Sequence, residues 1–241
     1  MFPYLQGAKL IRFLEISKFF LRKGAFFVIF LCTFALEMNK QGIKNIIFDF
    51  GCVLVNLDKH RCIEAFNAIN ASEVSVYVDE ARQEDLFLQL ELGTISVSEF
   101  CDEVRRQSPR CVATDDEIVA AWASLLVDVP LRRLHRILDL KSRYRIFLLS
   151  NTNAIHWDMA ENIFFSQEGH CVSDFFEKTY LSYKMHLTKP SEEIFQQALR
   201  DADILPQETL FIDDSAANCA AAERLGIRVI KVDNGDFDLD L

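Results

Sequence analysis

Five short apolar runs, at 43–48, 145–149, 179–183, 209–212 and 228–232, recur along this 241-residue chain, and the last four are separated by segments whose apolar residues repeat at helical spacing. Strand and helix in alternation leave few arrangements open. Strands joined by crossover helices run parallel, and such a sheet is covered by helices on both faces. The pattern predicts an α/β fold with a doubly wound, Rossmann-like parallel sheet. Helices are expected over 131–141, over 191–200 behind Pro190, and over 216–225, where Gly226 suits a left-handed C-terminal cap.

Residues 59–128 break the rhythm. They hold no convincing strand, but Cys62, Ile63, Phe66 and Ile69 share a helical stripe, and Ser96-x-x-Glu99 and Thr114-x-x-Glu117 both read as capping boxes. This is a helical cap inserted after the first strand. Ligands of open α/β sheets sit outside the carboxyl ends of the strands, so an insertion leaving from that edge is expected to lie over the site as a lid. The domain reading is a core of 38–58 and 129–241 with a cap of 59–128. Trp122, Phe66, Phe87 and Phe100 are as suited to packing the cap's own interior as to touching a ligand.

The formal charge of −10 argues against a nucleic-acid-binding role, because such a surface repels phosphate backbones. Residues 1–37 are different in character, with five basic and two acidic side chains, which leaves 38–241 at −13. A basic amphipathic stretch over 10–23 runs into twelve uncharged residues at 25–36, against the ~20 that a membrane-spanning helix needs. No stable membrane span is expected. The segment reads as a secretory leader or, preferred here, as sequence upstream of a native start at Met38. Seven cysteines without a Cys-x-x-Cys pair indicate neither a zinc ribbon nor a disulfide framework, and a cytoplasmic, reducing location is expected.

Four stretches fall where the strands end: Phe48-Asp49-Phe50-Gly51-Cys52-Val53, Leu149-Ser150-Asn151-Thr152-Asn153, Thr188-Lys189-Pro190, and Ile212-Asp213-Asp214-Ser215 with Asn218 a helical turn later. Singly, each has a plain structural explanation as a turn, cap or solvated residue. Together and in this order they resemble the haloacid dehalogenase superfamily of aspartate-nucleophile hydrolases, over nearly all of 43–232. The Asp-x-Gly form of the first motif, the Ser150-Asn151-Thr152-Asn153 loop followed by His156, and the small helical cap are most similar to the branch related to glucose-1-phosphate phosphatases.

That resemblance implies a Mg²⁺-dependent phosphatase acting on a small phosphorylated metabolite through an aspartyl-phosphate. Hydrolysis of a phosphate monoester requires charge neutralisation, an aligned nucleophile and a covalent intermediate. Asp49 is the expected nucleophile. Lys189 supplies positive charge and a phosphate contact, and Asp49, Asp213 and Asp214 offer the hard oxygen ligands that suit Mg²⁺. By the resemblance, the Gly51 carbonyl completes the metal site, the Ser150 hydroxyl and the Asn151 N–H bind phosphoryl oxygens, and Asn218 steadies the acidic pair. Asn153 and His156 are candidates to reach the leaving side of the substrate or the cap.

Most phosphatases of the superfamily carry a second aspartate where this chain has Gly51, so the general acid is unassigned; water, a cap residue or His156 are the candidates. Cys52 reads as structural, since neighbouring carboxylates oppose a reactive thiolate. Two alternatives stand beside the phosphatase: a non-catalytic phosphate- or metal-binding domain of the same fold, and a metal-independent haloacid dehalogenase. The adjacent carboxylates Asp213 and Asp214 argue against the last, because without a cation they repel one another.

Overall fold

The computed structural model describes residues 42–78 and 86–233. The leader and Met38 readings lie outside the described residues. In chain order, β1 (Asn45–Phe48) and the short β2 (Asn56–Leu57) precede five helices, α1 (Lys59–Ala68), α2 (Ser72–Ser75), α3 (Leu86–Glu91), α4 (Val97–Gln107) and α5 (Asp115–Ala123). Then come β3 (Leu126–Asp128), α6 (Leu131–Lys141), β4 (Arg145–Ser150), α7 (Ala154–Met159), α8 (Val172–Phe175), β5 (Lys178–Leu181) and α9 (Ser182–Met185). The described residues end in α10 (Glu192–Ala202), β6 (Thr209–Asp213), α11 (Ala216–Arg224) and β7 (Arg228–Lys231).

Five of the strands form one parallel sheet in the order β5-β4-β1-β6-β7. β1 sits in the middle because it is buried on both faces, and all four of its side chains are inaccessible. On one face Ile47 packs with Phe147, Leu149 and Phe211 beneath Ile194, Phe195 and Ala198 of α10. On α6, the buried Leu134, Ile137 and Leu140 recur at the spacing of one helical face. The register aligns the strand ends. Phe48 stands opposite Leu148 of β4 and Ile212 of β6, so the next residue, Asp49, is level with Leu149 and Asp213.

The insertion has its own apolar interior. Phe66, Phe87, Phe100 and Trp122 pack there with Cys62 and Cys101, and Phe87 lies 4.2 Å from Trp122 between ring centroids. Both capping boxes form: Glu99 accepts the Ser96 N–H at 2.8 Å and Glu117 that of Thr114 at 2.8 Å, while Ser96 and Thr114 accept in return.

Two expectations need correction. Residues 59–128 do contain strand, since Leu126–Asp128 pairs antiparallel with Asn56–Leu57, so the chain enters and leaves the cap through a two-stranded ribbon. A three-residue strand has too few residues to display a period. The third run ends earlier than 183, because the chain turns into α9 at Ser182. The helix behind Pro190 forms as expected, with Ser191 as its N-cap, whose hydroxyl accepts the Glu193 N–H at 3.3 Å. Gly226 does adopt a left-handed φ of 82° behind α11. Among the described residues no helix is long and apolar enough to cross a membrane.

Candidate active site

Three neighbouring strand ends place acceptors in one row, and Lys189 reaches all of them. Its Nζ donates to Asp49 Oδ1 at 2.7 Å, to the Leu149 carbonyl at 2.9 Å and to Asp213 Oδ2 at 2.7 Å. The lysine is 4 % exposed. Burial opposes its charge, but Asp49 and Asp213 outweigh that effect and hold the ammonium above its usual range. All three ammonium protons are engaged, so contact with a phosphate oxygen requires one of these bonds to be given up.

Asp49 follows β1 directly, and its N–H donates to Ile212 O at 2.9 Å. Burial pushes its carboxyl up to about 6; Lys189 counters that rise and Asp213 adds to it. Asp213 is fully buried and bonded on both oxygens. Oδ1 accepts the Ser215 N–H at 2.7 Å, and the Asn218 amide donates to both oxygens at 3.1 Å. Of the two adjacent carboxylates, Asn218 thus bonds Asp213. Asp214 is half-buried, and burial first, then Asp213, raises its pKa. One carboxylate oxygen from each of Asp49, Asp213 and Asp214 lies within 4.8 Å of the others, a hard-oxygen cluster of a size that a divalent cation fits.

The Gly51 carbonyl accepts the Val53 N–H at 2.6 Å, which leaves one lone pair for a metal. A Cβ at Gly51 would meet only Leu57 Cδ1, at 3.7 Å, so the missing aspartate is a chemical difference and not a steric requirement. Cys52 lies against Asp214; burial, then Asp214, pushes its thiol up to about 11, which keeps it protonated and inert.

Ser150 is buried at the end of β4, with only a long 3.3 Å bond from its hydroxyl to Asn151 O. Asn151 carries a role beyond its backbone N–H. Its side chain donates to Lys189 O at 2.9 Å and accepts the Lys189 N–H at 2.8 Å, which fixes where the lysine starts.

Of its two expected alternatives, His156 takes the cap. It is buried, donates through Nε2 to Trp122 O at 3.0 Å, and accepts the Asn153 amide on Nδ1 at 3.2 Å. Burial pushes its pKa down to about 4. Asn153 is the N-cap of α7, accepting the His156 N–H at 3.0 Å. His156 meets the cap and Asn153 holds His156; burial keeps the imidazole neutral, and its Nε2 proton is taken by Trp122 O. Ser182 was missed. It is fully buried, accepts the Thr152 N–H at 2.9 Å, and lies 2.7 Å from Glu91 O of the cap. Its one signal in the sequence is a hydroxyl at the end of an apolar run.

An aspartate after the central strand, a buried lysine between two carboxylates and a helical insertion above the same sheet edge define a capped α/β hydrolase. The chain belongs to the haloacid dehalogenase-like hydrolases, whose family model matches residues 43–226. It is 37 % identical over 193 residues to D-ribitol-5-phosphate phosphatase of Bacteroides thetaiotaomicron, covering 80 % of this chain and 93 % of that one. A HAD family enzyme of the same organism, solved with magnesium and inorganic phosphate, superposes with a TM-score of 0.78 at 43 % identity, over 82 % of this chain and 98 % of that one. A HAD-like family hydrolase of Porphyromonas gingivalis gives a TM-score of 0.76 at 37 % identity, over 82 % and 95 %.

Proposed function

We propose that this protein is a Mg²⁺-dependent phosphatase of a small phosphorylated metabolite, a sugar or sugar-alcohol phosphate, working through an aspartyl-phosphate on Asp49. The observation that carries the reading is the Lys189 ammonium, bonded at 2.7 Å to both Asp49 and Asp213 beside a third carboxylate. The ribitol-phosphate relative and the magnesium- and phosphate-bound neighbour support the substrate class and the metal. We assign 38–58 and 129–241 to the core and 59–128 to the cap.

Lys189 occupies Asp49 Oδ1, which leaves Oδ2 as the attacking atom. That oxygen bonds to phosphorus as the ester P–O bond breaks, and the departing oxygen takes a proton from water, since Gly51 carries no acid and His156 is engaged at both nitrogens. Water then attacks the phosphorus of the acyl phosphate, loses a proton, and releases phosphate and Asp49. In this reading Ser150 and the Asn151 N–H, at the end of β4, hold the phosphoryl oxygens. Asp49, Asp213, Asp214 and the Gly51 carbonyl are the residues that would hold Mg²⁺, which when bound supplies the positive charge that draws a dianionic ester to an anionic nucleophile.

The test is phosphate release across a panel of sugar and sugar-alcohol phosphates, with and without a chelator. Turnover that chelation stops and Mg²⁺ restores, and that Asp49→Asn abolishes in a folded chain, is expected. Undiminished release by Asp49→Asn would refute the nucleophile.

A further inference from the structure

The residues after the phosphate loop do not end at the loop. Thr152 and Asn153 each continue into the cap through one buried polar side chain. Asn153 holds His156 Nδ1; because the Trp122 carbonyl can only accept, Nε2 carries the proton, and the imidazole is fixed in one tautomer between loop and cap. The Trp122 ring lies 4.5 Å from that imidazole and 4.2 Å from Phe87, so one stack runs from the cap interior to the loop. Ile155, beside His156, is buried in the cap's apolar cluster.

The second connection is independent. Ser182 Oγ takes the Thr152 N–H and lies 2.7 Å from Glu91 O and 2.8 Å from Thr152 O. Two residues on, Gly93 has a φ of 63°, and a Cβ there would stand 2.1 Å from Tyr183 O, so only glycine permits this approach. His186 Nδ1 adds a bond to Leu92 O at 2.8 Å. The ribbon is pinned as well: Asn56 donates to Asp128 at 2.8 Å, and Arg133 of α6 donates to Leu54 O and Asn56 Oδ1.

A body held at its two connecting strands and at two further places cannot rotate about the strands alone. Opening it breaks buried hydrogen bonds at Ser182 and His156 and uncovers the aromatic stack. We infer that His156 and Ser182 are positioning residues that fasten the phosphate loop to the cap, making the cap a fixed wall of the site and not a lid that swings in each turnover. The kinetic half of this rests on the phosphatase reading above; the structural half does not.

The experiment is amide hydrogen exchange by mass spectrometry on the full chain, with steady-state kinetics on p-nitrophenyl phosphate alongside. The variants are His156→Leu, which fills the space without bonding, His156→Gln, whose amide keeps one donor and one acceptor, and Ser182→Ala. Exchange about fivefold or more faster at both 86–93 and 151–156 in His156→Leu and in Ser182→Ala, and near the parent rate in His156→Gln, is expected. In kinetics the two loosened variants should lose about tenfold in kcat with KM changed less than about twofold, because a misplaced loop harms alignment more than binding. Unchanged exchange at 151–156 overturns the inference whether or not the chain releases phosphate. So does a kcat that rises when the connections are cut, as a rate-limiting lid would give. A parent chain that couples the two segments yet releases no phosphate refutes the phosphatase reading alone.

Discussion

The side chain of Asn151 and the backbone of Lys189 pair in both directions, amide to carbonyl at 2.9 Å and N–H to amide oxygen at 2.8 Å. The loop after β4 thus sets the origin of the lysine that neutralises Asp49 and Asp213. Asn151→Ala leaves a donor and an acceptor of Lys189 without partners, at a cost of about 2 kcal/mol. It also frees the ammonium to shift. Urea unfolding should record the lost stability, and kcat should fall about a hundredfold, with the fall exceeding any change in KM.

Lys189→Met removes a cation bonded to two buried carboxylates. Asp49, already raised to about 6 by burial, then has Asp213 as an uncompensated neighbour and is driven further up. Loss of one partner of a buried ion cluster costs about 3 kcal/mol or more. The expected result is no measurable phosphate release at neutral pH, together with a lowered thermal midpoint that recovers in part as acid neutralises the two carboxylates. A midpoint independent of pH would argue against this electrostatic role for Lys189.

The core was legible because a parallel sheet buries its strands on both faces, so each strand is a run of apolar residues and each crossover a helical stripe. The site was legible because its side chains stand at the ends of those runs. What escaped was set by partners distant in the chain. Ser182 bonds to Glu91 across 91 residues, and β3 exists only because Asn56–Leu57 lies beside it. A lysine before a proline reads as solvated, yet Lys189 is buried because three strand ends converge on it. His156 reads as a proton-donor candidate on its chemistry alone, because the cap residue it bonds, Trp122, lies 34 positions upstream.

Acid should loosen the protein through His156. Its groups of contact are neutral, namely the Asn153 amide, the Trp122 carbonyl and the Trp122 ring, and burial outweighs the one bond to the Trp122 carbonyl that favours an imidazolium. Its pKa falls from an ordinary 6.5 to about 4 in the folded chain. Between those values the unfolded chain binds the additional proton, so stability is lost as pH falls from 6.5 to 4, by about 3 kcal/mol. Denaturant midpoints measured across that window should slope for the parent and flatten for His156→Gln. Equal slopes would assign the acid sensitivity to the carboxylates instead.

Gly51→Asp tests what the departing oxygen lacks. The backbone there has no positive φ, and a Cβ meets only Leu57 Cδ1 at 3.7 Å, so the chain should fold with its unfolding midpoint little changed. A fourth carboxyl beside Asp49, Asp213 and Asp214 is pushed upward by their charge, which favours a protonated acid near neutral pH. General acid catalysis matters most when the leaving oxygen is strongly basic. The variant should therefore raise kcat on an alkyl phosphate by about tenfold or more, and leave p-nitrophenyl phosphate, whose leaving group needs no proton, nearly unaffected. An equal effect on both substrates would mean that the new side chain alters metal or phosphate binding and delivers no proton.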